Sequence, residues 1–237
     1  MVIKMALYAI GDMHLSESVN KPMDIFGGAW DNYREKLLKG LACLSEEDTL
    51  VIAGDFSWGM SLREALADFK LLNTFPGKKI FLKGNHDYWW DTVSKMNRFF
   101  AENQLENLSF LHNNTICCEG IALCGTRGWF FDPSDETAGD EKVFKREVMR
   151  LEASLKEAGK LYPDSEIYCF LHYPPVFMRT EVEPITGLLK QYGVARCYYG
   201  HLHGDSLRGA FNGTRDGVIY QNISADNVGF RPVLLKP

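Results

Sequence analysis

The chain has 237 residues, of which 46% are hydrophobic and 24% charged, values that fit one large globular domain spanning residues 1–237. Its net charge of −5 argues against broad, sequence-independent binding to nucleic acid, because such binding needs Lys and Arg to neutralise phosphates. No apolar stretch approaches the ~20 residues needed to span a bilayer, so we expect no membrane-spanning segment.

The N-terminal apolar run resembles a signal peptide, but Lys4 interrupts it and no small-residue cleavage site follows. We interpret it as the first strand. The six cysteines include no C-x-x-C pair, and Cys169 and Cys197 lie inside apolar runs. This usage is typical of buried thiols in a reducing compartment, so we expect a cytoplasmic protein.

Strands and helices alternate over the first part of the chain. Short apolar runs predict strands over residues 7–10, 49–53 and 79–82. Apolar residues at helical spacing predict helices over residues 31–44, 61–72 and 91–102. Asp31 is the expected N-cap of the first helix. This alternation is typical of a parallel sheet with crossover helices.

The pattern changes after residue 108. Asn113-Asn114 and Glu119-Gly120 predict hairpin turns, and therefore antiparallel pairing, between short runs at residues 109–111, 115–118 and 121–124. An amphipathic helix is predicted over residues 143–158, with Gly159 as its C-cap. Strands at 167–171 and 196–199 follow, separated by a short helix at 185–192. Residues 207–235 predict a meander of short strands, with Asn212-Gly213 and Asp216-Gly217 as turns.

Five of the predicted strands end in side chains that can bind metal ions or move protons. These side chains are, in order, Asp12, His14, Asp55, Asn85, His86, His172, His201 and His203. In an open α/β sheet the carboxyl ends of the strands form the crevice where ligands bind. Imidazole nitrogens mixed with carboxylate and amide oxygens suit Mn, Fe, Zn or Co better than Ca or Mg.

Each motif alone has an ordinary structural explanation, since Asp-x-His often forms a capped turn and Gly-Asp often ends a strand. In this order, however, the set closely resembles the calcineurin-like metallophosphoesterases. The matching segments are Gly11-Asp12-Met13-His14, Gly54-Asp55, Gly84-Asn85-His86-Asp87, His172 and Gly200-His201-Leu202-His203. The resemblance implies an α/β fold of two facing mixed β-sheets flanked by helices, a four-layer sandwich, with two divalent transition-metal ions at the strand ends.

The resemblance also implies which side chains hold each ion. One ion would be bound by Asp12, His14 and His203. The other ion would be bound by Asn85, His172 and His201. Asp55 would bridge the two ions.

The activity implied is hydrolysis of phosphate esters by a metal-dependent phosphoesterase. A hydroxide held between the ions would attack phosphorus, while His86 would protonate the leaving group and Asp87 would orient the His86 imidazole. A non-catalytic binding module on the same fold is an alternative, but the ligand positions and His86 are all intact. A redox or transport metalloprotein is a further alternative, with little support from this ligand set.

The motifs do not name the substrate. Phe56-Ser57-Trp58-Gly59 stands where the protein Ser/Thr phosphatases of the family carry Val-Asp-Arg-Gly, and the DNA-binding domain that the family's nucleases append is not seen. We therefore expect a phosphate ester that is a small molecule or a nucleotide rather than a polymer. A phosphomonoester or phosphoprotein substrate is the alternative.

Residues near the ligands suggest how the ester is held. Trp58 and Trp89 predict an aromatic wall for its organic part, although aromatic residues also dominate protein cores. Arg127 is a candidate phosphate clamp, and so is Arg179, for which surface solvation is an equal explanation. The segments that directly adjoin the ligands contain no Arg, and a diester offers a second organic arm. The sequence therefore favours phosphodiesters slightly.

Overall fold

The computed structural model describes residues 5–129 and 138–237, with side chains described from residue 141 onward in the second range. Within these ranges, none of the helices combines the length and apolar character that a membrane crossing requires. The α-helices are α1 (Tyr33–Leu41), α2 (Leu66–Asn73), α3 (Val93–Glu102), α4 (Ala138–Leu161) and α5 (Glu183–Gln191). The strands are β1 (Leu7–Ile10), β2 (Thr49–Ala53), β3 (Lys78–Leu82), β4 (Leu108–Phe110), β5 (Ile116–Cys118), β6 (Ile121–Thr126), β7 (Glu166–Leu171), β8 (Val176–Phe177), β9 (Thr180–Glu181), β10 (Arg196–Tyr199), β11 (Gly213–Arg215), β12 (Val218–Asn222) and β13 (Val233–Lys236).

The first sheet has the order β13-β1-β2-β3-β4. Strands β1 to β4 run parallel, as the alternation of strands and helices predicts for the first three. The antiparallel pairing expected around residues 109–111 is wrong, because β4 lies parallel to β3 and buries Leu108 and Phe110 in the core beneath the helices. Asn113-Asn114 therefore links strands of two different sheets and is not a hairpin turn.

The second sheet has the order β11-β12-β10-β7-β6-β5. The hairpin predicted at Glu119-Gly120 is confirmed, since β5 and β6 pair antiparallel across it. The meander predicted for residues 207–235 is only partly correct. Strands β11 and β12 form a hairpin around Asp216-Gly217, but β12 also pairs parallel with β10, and β13 pairs with β1 in the other sheet. In the other predicted turn, Asn212-Gly213, the glycine already belongs to β11.

The helix ends differ from the sequence expectation in several places. The residue before α1 is Asn32, in a left-handed conformation without a side-chain cap, so Asp31 is not the N-cap. Gly159 lies inside α4, which continues to Leu161, so it is not the C-cap. The start of α2 lies five residues later than predicted, because residues 61–65 form turns. A short additional hairpin, β8–β9, was not predicted.

Three apolar layers hold the two sheets and their helices together. One layer lies between the first sheet and helices α1 to α3, where Leu37, Phe69 and Phe100 are buried. A second lies between the sheets, and a third packs α4 and α5 on the outer face of the second sheet. The fold is thus the mixed α/β sandwich of two facing sheets flanked by helices. The carboxyl ends of β1, β2, β3, β7 and β10 meet at one edge of this sandwich, where an isolated bridge joins Gly11 to Ser224.

Candidate active site

Three of the predicted ligands converge after β1 and β10. The Nε2 atoms of His14 and His203 lie 3.3 Å apart, and His203 Nε2 lies 3.3 Å from Asp12 Oδ1. Ligand atoms of a tetrahedral ion at about 2.1 Å are about 3.4 Å from one another. Asp12, His14 and His203, the first donor set, therefore have the spacing of ligands to a single ion.

Three more predicted ligands converge after β3, β7 and β10. Asn85 Oδ1 lies 2.6 Å from His172 Nε2 and 2.9 Å from His201 Nδ1. The carbonyl oxygen of Ala53 lies 3.1 Å from His172 Nδ1, and a carbonyl can only accept. The proton of His172 is therefore on Nδ1, and the Nε2 lone pair is free to bind a metal ion beside Asn85 and His201. Asn85, His172 and His201 form the second donor set.

Asp55 lies between the two donor sets. Its Oδ2 atom is 3.7 Å from His14 Nε2 and 3.5 Å from His172 Nε2, whereas its Oδ1 accepts a hydrogen bond from His86 N at 2.8 Å. The two oxygens of the carboxylate therefore have different roles. One oxygen holds the backbone of the β3 end, and the other faces both donor sets.

The electrostatics of this region call for bound cations. Asp12 and Asp55 are almost fully buried, and the ion pairs of the described residues give neither a Lys or Arg partner. Burial and then the charge of Asp12 raise the pKa of Asp55 to about 8. Burial and then His172 lower the pKa of His201 to about 4, which keeps that imidazole neutral and able to ligate. The residues present therefore fit a pair of divalent ions.

Asp226 is part of this site although no local motif in the sequence indicated it. Its Oδ1 lies 3.1 Å from His203 Nδ1, and its Oδ2 accepts from Gly204 N at 2.9 Å. The carboxylate thus fixes the His203 ring so that Nε2 faces the first donor set. Asp226 reaches this position because the chain after β12 runs back along the end of β1, where Ser224 bridges Gly11.

Asp226→Asn is expected to weaken binding of the ion at the first donor set about 10–100-fold. An amide has a single acceptor oxygen, so its NH₂ group must face one of the two donors, His203 Nδ1 or Gly204 N. The check is a metal dissociation constant measured by competition with a chromogenic chelator. Asp205→Asn removes the same charge from an exposed neighbouring carboxylate and serves as the control. Equal affinities in the two variants would contradict the orienting role.

The backbone at the site is held in uncommon conformations. Asp12, His14, Asp55 and His201 all have positive φ angles, of 59°, 47°, 52° and 71°. Residues with a Cβ rarely adopt this region, and it persists where the surrounding structure imposes it. Gly84 shows how tight that surrounding is, because a Cβ there would lie 2.0 Å from Asp55 Oδ1.

Asp87 does not orient His86, so that expectation is wrong. Its Oδ1 accepts from Phe56 N and from the indole Nε1 of Trp89, both at 2.9 Å. Its Oδ2 accepts from Asp55 N at 2.9 Å and from Gly84 N at 2.7 Å. With four N–H donors, the carboxylate is saturated and ties the end of β2 to the end of β3. Asp87 is a positioning residue for the Asp55 backbone.

Trp89 is not accessible to a substrate, which corrects the second part of the aromatic-wall prediction. Its side chain is 2% exposed and packs edge-on against Phe56 and Phe69 in the first core layer. Burial of the polar indole N–H in this apolar layer is tolerated because it donates a hydrogen bond to Asp87.

Trp58, the first part of the aromatic-wall prediction, contacts two histidines of the site. Its ring stacks on His14 with a centroid distance of 4.8 Å and lies 4.6 Å from the His86 ring. His86 Nδ1 is buried without a hydrogen-bond partner, so packing against Trp58 and the edge of Tyr88 sets the position of this ring. Burial, followed by the charge of His172, lowers the pKa of His86.

The guanidinium of Arg127 contacts neighbouring side chains, while its Nε atom is buried without a hydrogen-bond partner among the described residues. Its guanidinium lies 3.6 Å from Glu147 Oε1 and 4.5 Å from the ring centroid of Trp129. Its carbonyl accepts from His172 N at 3.0 Å and Tyr173 N at 2.9 Å, which supports the loop after β7. Arg179, the other candidate clamp, lies exposed in the turn between β8 and β9.

Solved structures share this fold. They include a phosphopantetheinyl hydrolase from Mycobacterium tuberculosis, at TM-score 0.59 and 16% identity over 100% of this chain and 98% of that chain. TT1561 of Thermus thermophilus aligns at TM-score 0.55 and 15% identity over 97% of each chain. AQ665 of Aquifex aeolicus, a protein of unknown function, aligns at TM-score 0.51 and 16% identity over 98% of this chain and 96% of that chain. At such identities the likeness concerns the fold.

The sequence comparisons are more specific. No curated protein sequence matches the chain. A family model described as calcineurin-like phosphoesterase matches residues 5–205, the greater part of the 237 residues. That range includes every predicted ligand and both donor sets. The chain belongs to the calcineurin-like phosphoesterase family.

Proposed function

We propose that this protein hydrolyses phosphate esters by means of two divalent transition-metal ions and a histidine acid. The observation that supports this most directly is the meeting of two donor sets at a single oxygen, Asp55 Oδ2. A carboxylate oxygen that faces both donor sets would serve two ions at once, as in two-metal hydrolases. The mixture of imidazole with oxygen donors favours Mn, Fe, Zn or Co.

When bound, the two ions would supply positive charge for the phosphoryl oxygens and a water of lowered pKa. The residues of the chain have the remaining tasks. Asp55 and Asp12 offset part of the metal charge, and Asp226 and Ala53 O hold the ligand imidazoles in the required tautomers. His86 faces the same cleft as His14 and His203 but belongs to neither donor set, so its role is to donate a proton to the leaving oxygen.

A phosphodiester remains the favoured ester class in this proposal, with a monoester or a phosphoprotein as the alternative. A monoester carries one more charged oxygen, which enzymes commonly hold with an arginine. The pairing of Arg127 with Glu147 leaves less of its charge for that purpose and so supports the diester.

The proposal is tested by metal content and turnover together. The protein is stripped with a chelator, reloaded separately with Mn, Fe, Zn, Co and Mg, and assayed for bound metal and for hydrolysis of p-nitrophenyl esters. We expect two ions per chain and turnover that disappears in chelator. Metal binding without turnover of any phosphate ester would favour the non-catalytic module, and full activity in chelator would eliminate the metal mechanism.

The ester class has its own test. We expect saturating Mn to give a kcat/KM for bis-p-nitrophenyl phosphate at least equal to that for p-nitrophenyl phosphate, and Arg127→Ala to leave the ratio within about threefold. Glu147 keeps Arg150 as a partner at 2.7 Å in that variant, so no buried charge loses every partner. Arg179→Ala, at an exposed position, is the control. A clear preference for the monoester that Arg127→Ala abolishes would make Arg127 its clamp.

We also propose that the protein acts in the cytoplasm. All six cysteines are free thiols, and four of them are buried, as is usual in a reducing compartment. A measurement of the reduced and oxidised thiol content in cell extracts, by alkylation before and after reduction, checks this. Disulfide-linked protein in freshly alkylated cells would contradict it.

A further inference from the structure

A cleft of about 660 Å³ opens beside the first donor set. Three histidines, His14, His86 and His203, line its inner end. An adjoining hollow of about 520 Å³ continues it outward along the segment between β1 and α1. The large apolar side chains that line the two are Pro22, Met23, Ile25, Phe26, Trp30 and Trp58. Asn20 and Lys21 are the polar residues of the outer hollow. The cleft is therefore polar where the metals would bind and mostly apolar beyond, with a combined size that suits a small organic group.

Two of these apolar side chains are not used by the fold. Ile25 and Phe26 lie on one 3₁₀ turn, Met23–Phe26, in which only Met23 is buried. They are 76% and 68% exposed, at the mouth of the cleft. Single exposed apolar residues are common, but two adjacent ones continuous with an apolar cleft are typical of a binding surface.

The proposed chemistry determines which part of a substrate enters this cleft. If His86 donates a proton to the leaving oxygen, the alcohol portion of the ester must lie beside His86. His86 lines the cleft together with Trp58, Phe26 and Trp30. The leaving alcohol therefore extends along the apolar lining, whereas the phosphate stays at the donor sets.

The lining fits an alkyl chain better than a nucleobase. The Trp58 ring already stacks on His14 and has the Lys21 ammonium 5.3 Å from its centroid. Trp30 is 4% exposed and is surrounded edge-on by aromatic neighbours, so it offers no open face for a base. Both oxygens of Asp226, a polar group in the cleft, are already hydrogen-bonded. We propose that the cleft selects phosphate esters whose leaving alcohol carries an apolar alkyl chain of about four carbons or more. This inference rests on the proposed function and specifies the substrate class of the same site.

Chain length is the variable to test, because ethanol, butanol and hexanol are nearly equal leaving groups. Ethyl, butyl and hexyl phosphates, and the matching methyl alkyl diesters, are assayed by alcohol release with metal-loaded protein. Each fully buried methylene multiplies affinity about fourfold, so even half burial of the four added methylenes is expected to raise kcat/KM about 15-fold from ethyl to hexyl. Calorimetric binding of hexylphosphonate and ethylphosphonate, which cannot be hydrolysed, gives a second readout that does not depend on turnover.

The variant Ile25→Ser/Phe26→Ser removes the exposed apolar mouth without touching the core. We expect it to lower the hexyl-to-ethyl ratio toward one in both assays. Leu161→Ser, at a 50% exposed position at the end of α4, removes a comparable apolar side chain elsewhere and should keep the ratio.

The outcomes separate this inference from the function on which it rests. Hydrolysis of ethyl and hexyl esters at equal rates, or a ratio that survives Ile25→Ser/Phe26→Ser, overturns the alkyl cleft and leaves the phosphoesterase intact. Failure to hydrolyse any ester would overturn the proposed phosphoesterase activity, and phosphonate binding would still test the alkyl cleft. Equal affinity for the two phosphonates would overturn the alkyl cleft. Tighter binding of hexylphosphonate that the double variant abolishes would support the alkyl cleft.

Discussion

His86→Ala is expected to lower kcat/KM about 10²–10⁴-fold for esters of alkyl alcohols and far less for p-nitrophenyl esters. An alkoxide needs a proton as it leaves, whereas p-nitrophenolate leaves readily without one. The ring belongs to neither donor set, so the variant should still bind two metal ions. Steady-state kinetics on both ester types, with metal analysis of the same preparations, measure this.

His112→Ala provides the matched control. His112 is also a partly buried histidine, but it packs against Trp90, away from the donor sets. This variant should keep both activities near the native values. Equal losses on alkyl and p-nitrophenyl esters in His86→Ala, or loss of a metal ion, would show that His86 acts by another route than proton donation.

Asp55→Asn is expected to reduce activity at least about 10³-fold and to lower the metal content below two ions per chain. The Oδ1 position must keep accepting from His86 N at 2.8 Å, so the introduced NH₂ takes the Oδ2 position that faces both donor sets. An amide nitrogen does not ligate there, and the site also loses a negative charge. Metal charge stabilisation worth several kcal/mol corresponds to a loss of this size.

His14→Gln should cost less than Asp55→Asn, because His14 contributes to the first donor set alone. Asp164→Asn, at an exposed carboxylate after α4, controls for the change in net charge. Metal stoichiometry after dialysis and kcat/KM are compared for all three variants. Retention of two ions by Asp55→Asn, with a smaller loss of activity than His14→Gln, would exclude the shared-ligand role.

The corrected role of Asp87 changes how mutations near His86 are interpreted. Its carboxylate accepts from Asp55 N and Gly84 N, so a loss of activity in an Asp87 variant reports displaced metal ligands rather than a disturbed acid. The neighbours that set the His86 ring are Trp58 and Tyr88. The histidine therefore depends on packing for its position, and Trp58 links it to His14 in the first donor set.

Local sequence patterns were sufficient to locate the strands that carry the ligands and the order of those ligands. Leu7–Ile10, Thr49–Ala53 and Arg196–Tyr199 have the predicted bounds, and β3 differs by one residue. These strands are short apolar runs that end at glycine and polar residues, and both signals are local. The carboxyl ends of parallel strands lie at the same edge of the sheet. Local signals were therefore enough to predict that the residues following these strands lie close together.

The side chains that position these residues, by contrast, are determined only by the tertiary structure. Asp226 lies 23 positions from His203 and Asp87 lies 32 positions from Asp55, and no local pattern encodes such pairs. The same holds for Trp89 in the core and for Ile25 and Phe26 at the cleft, since the sequence does not distinguish an apolar residue in one place from one in the other. Side-chain partners and exposure depend on how distant segments pack, as when β4 pairs with β3 rather than with β5, and β13 pairs with β1 rather than with β12.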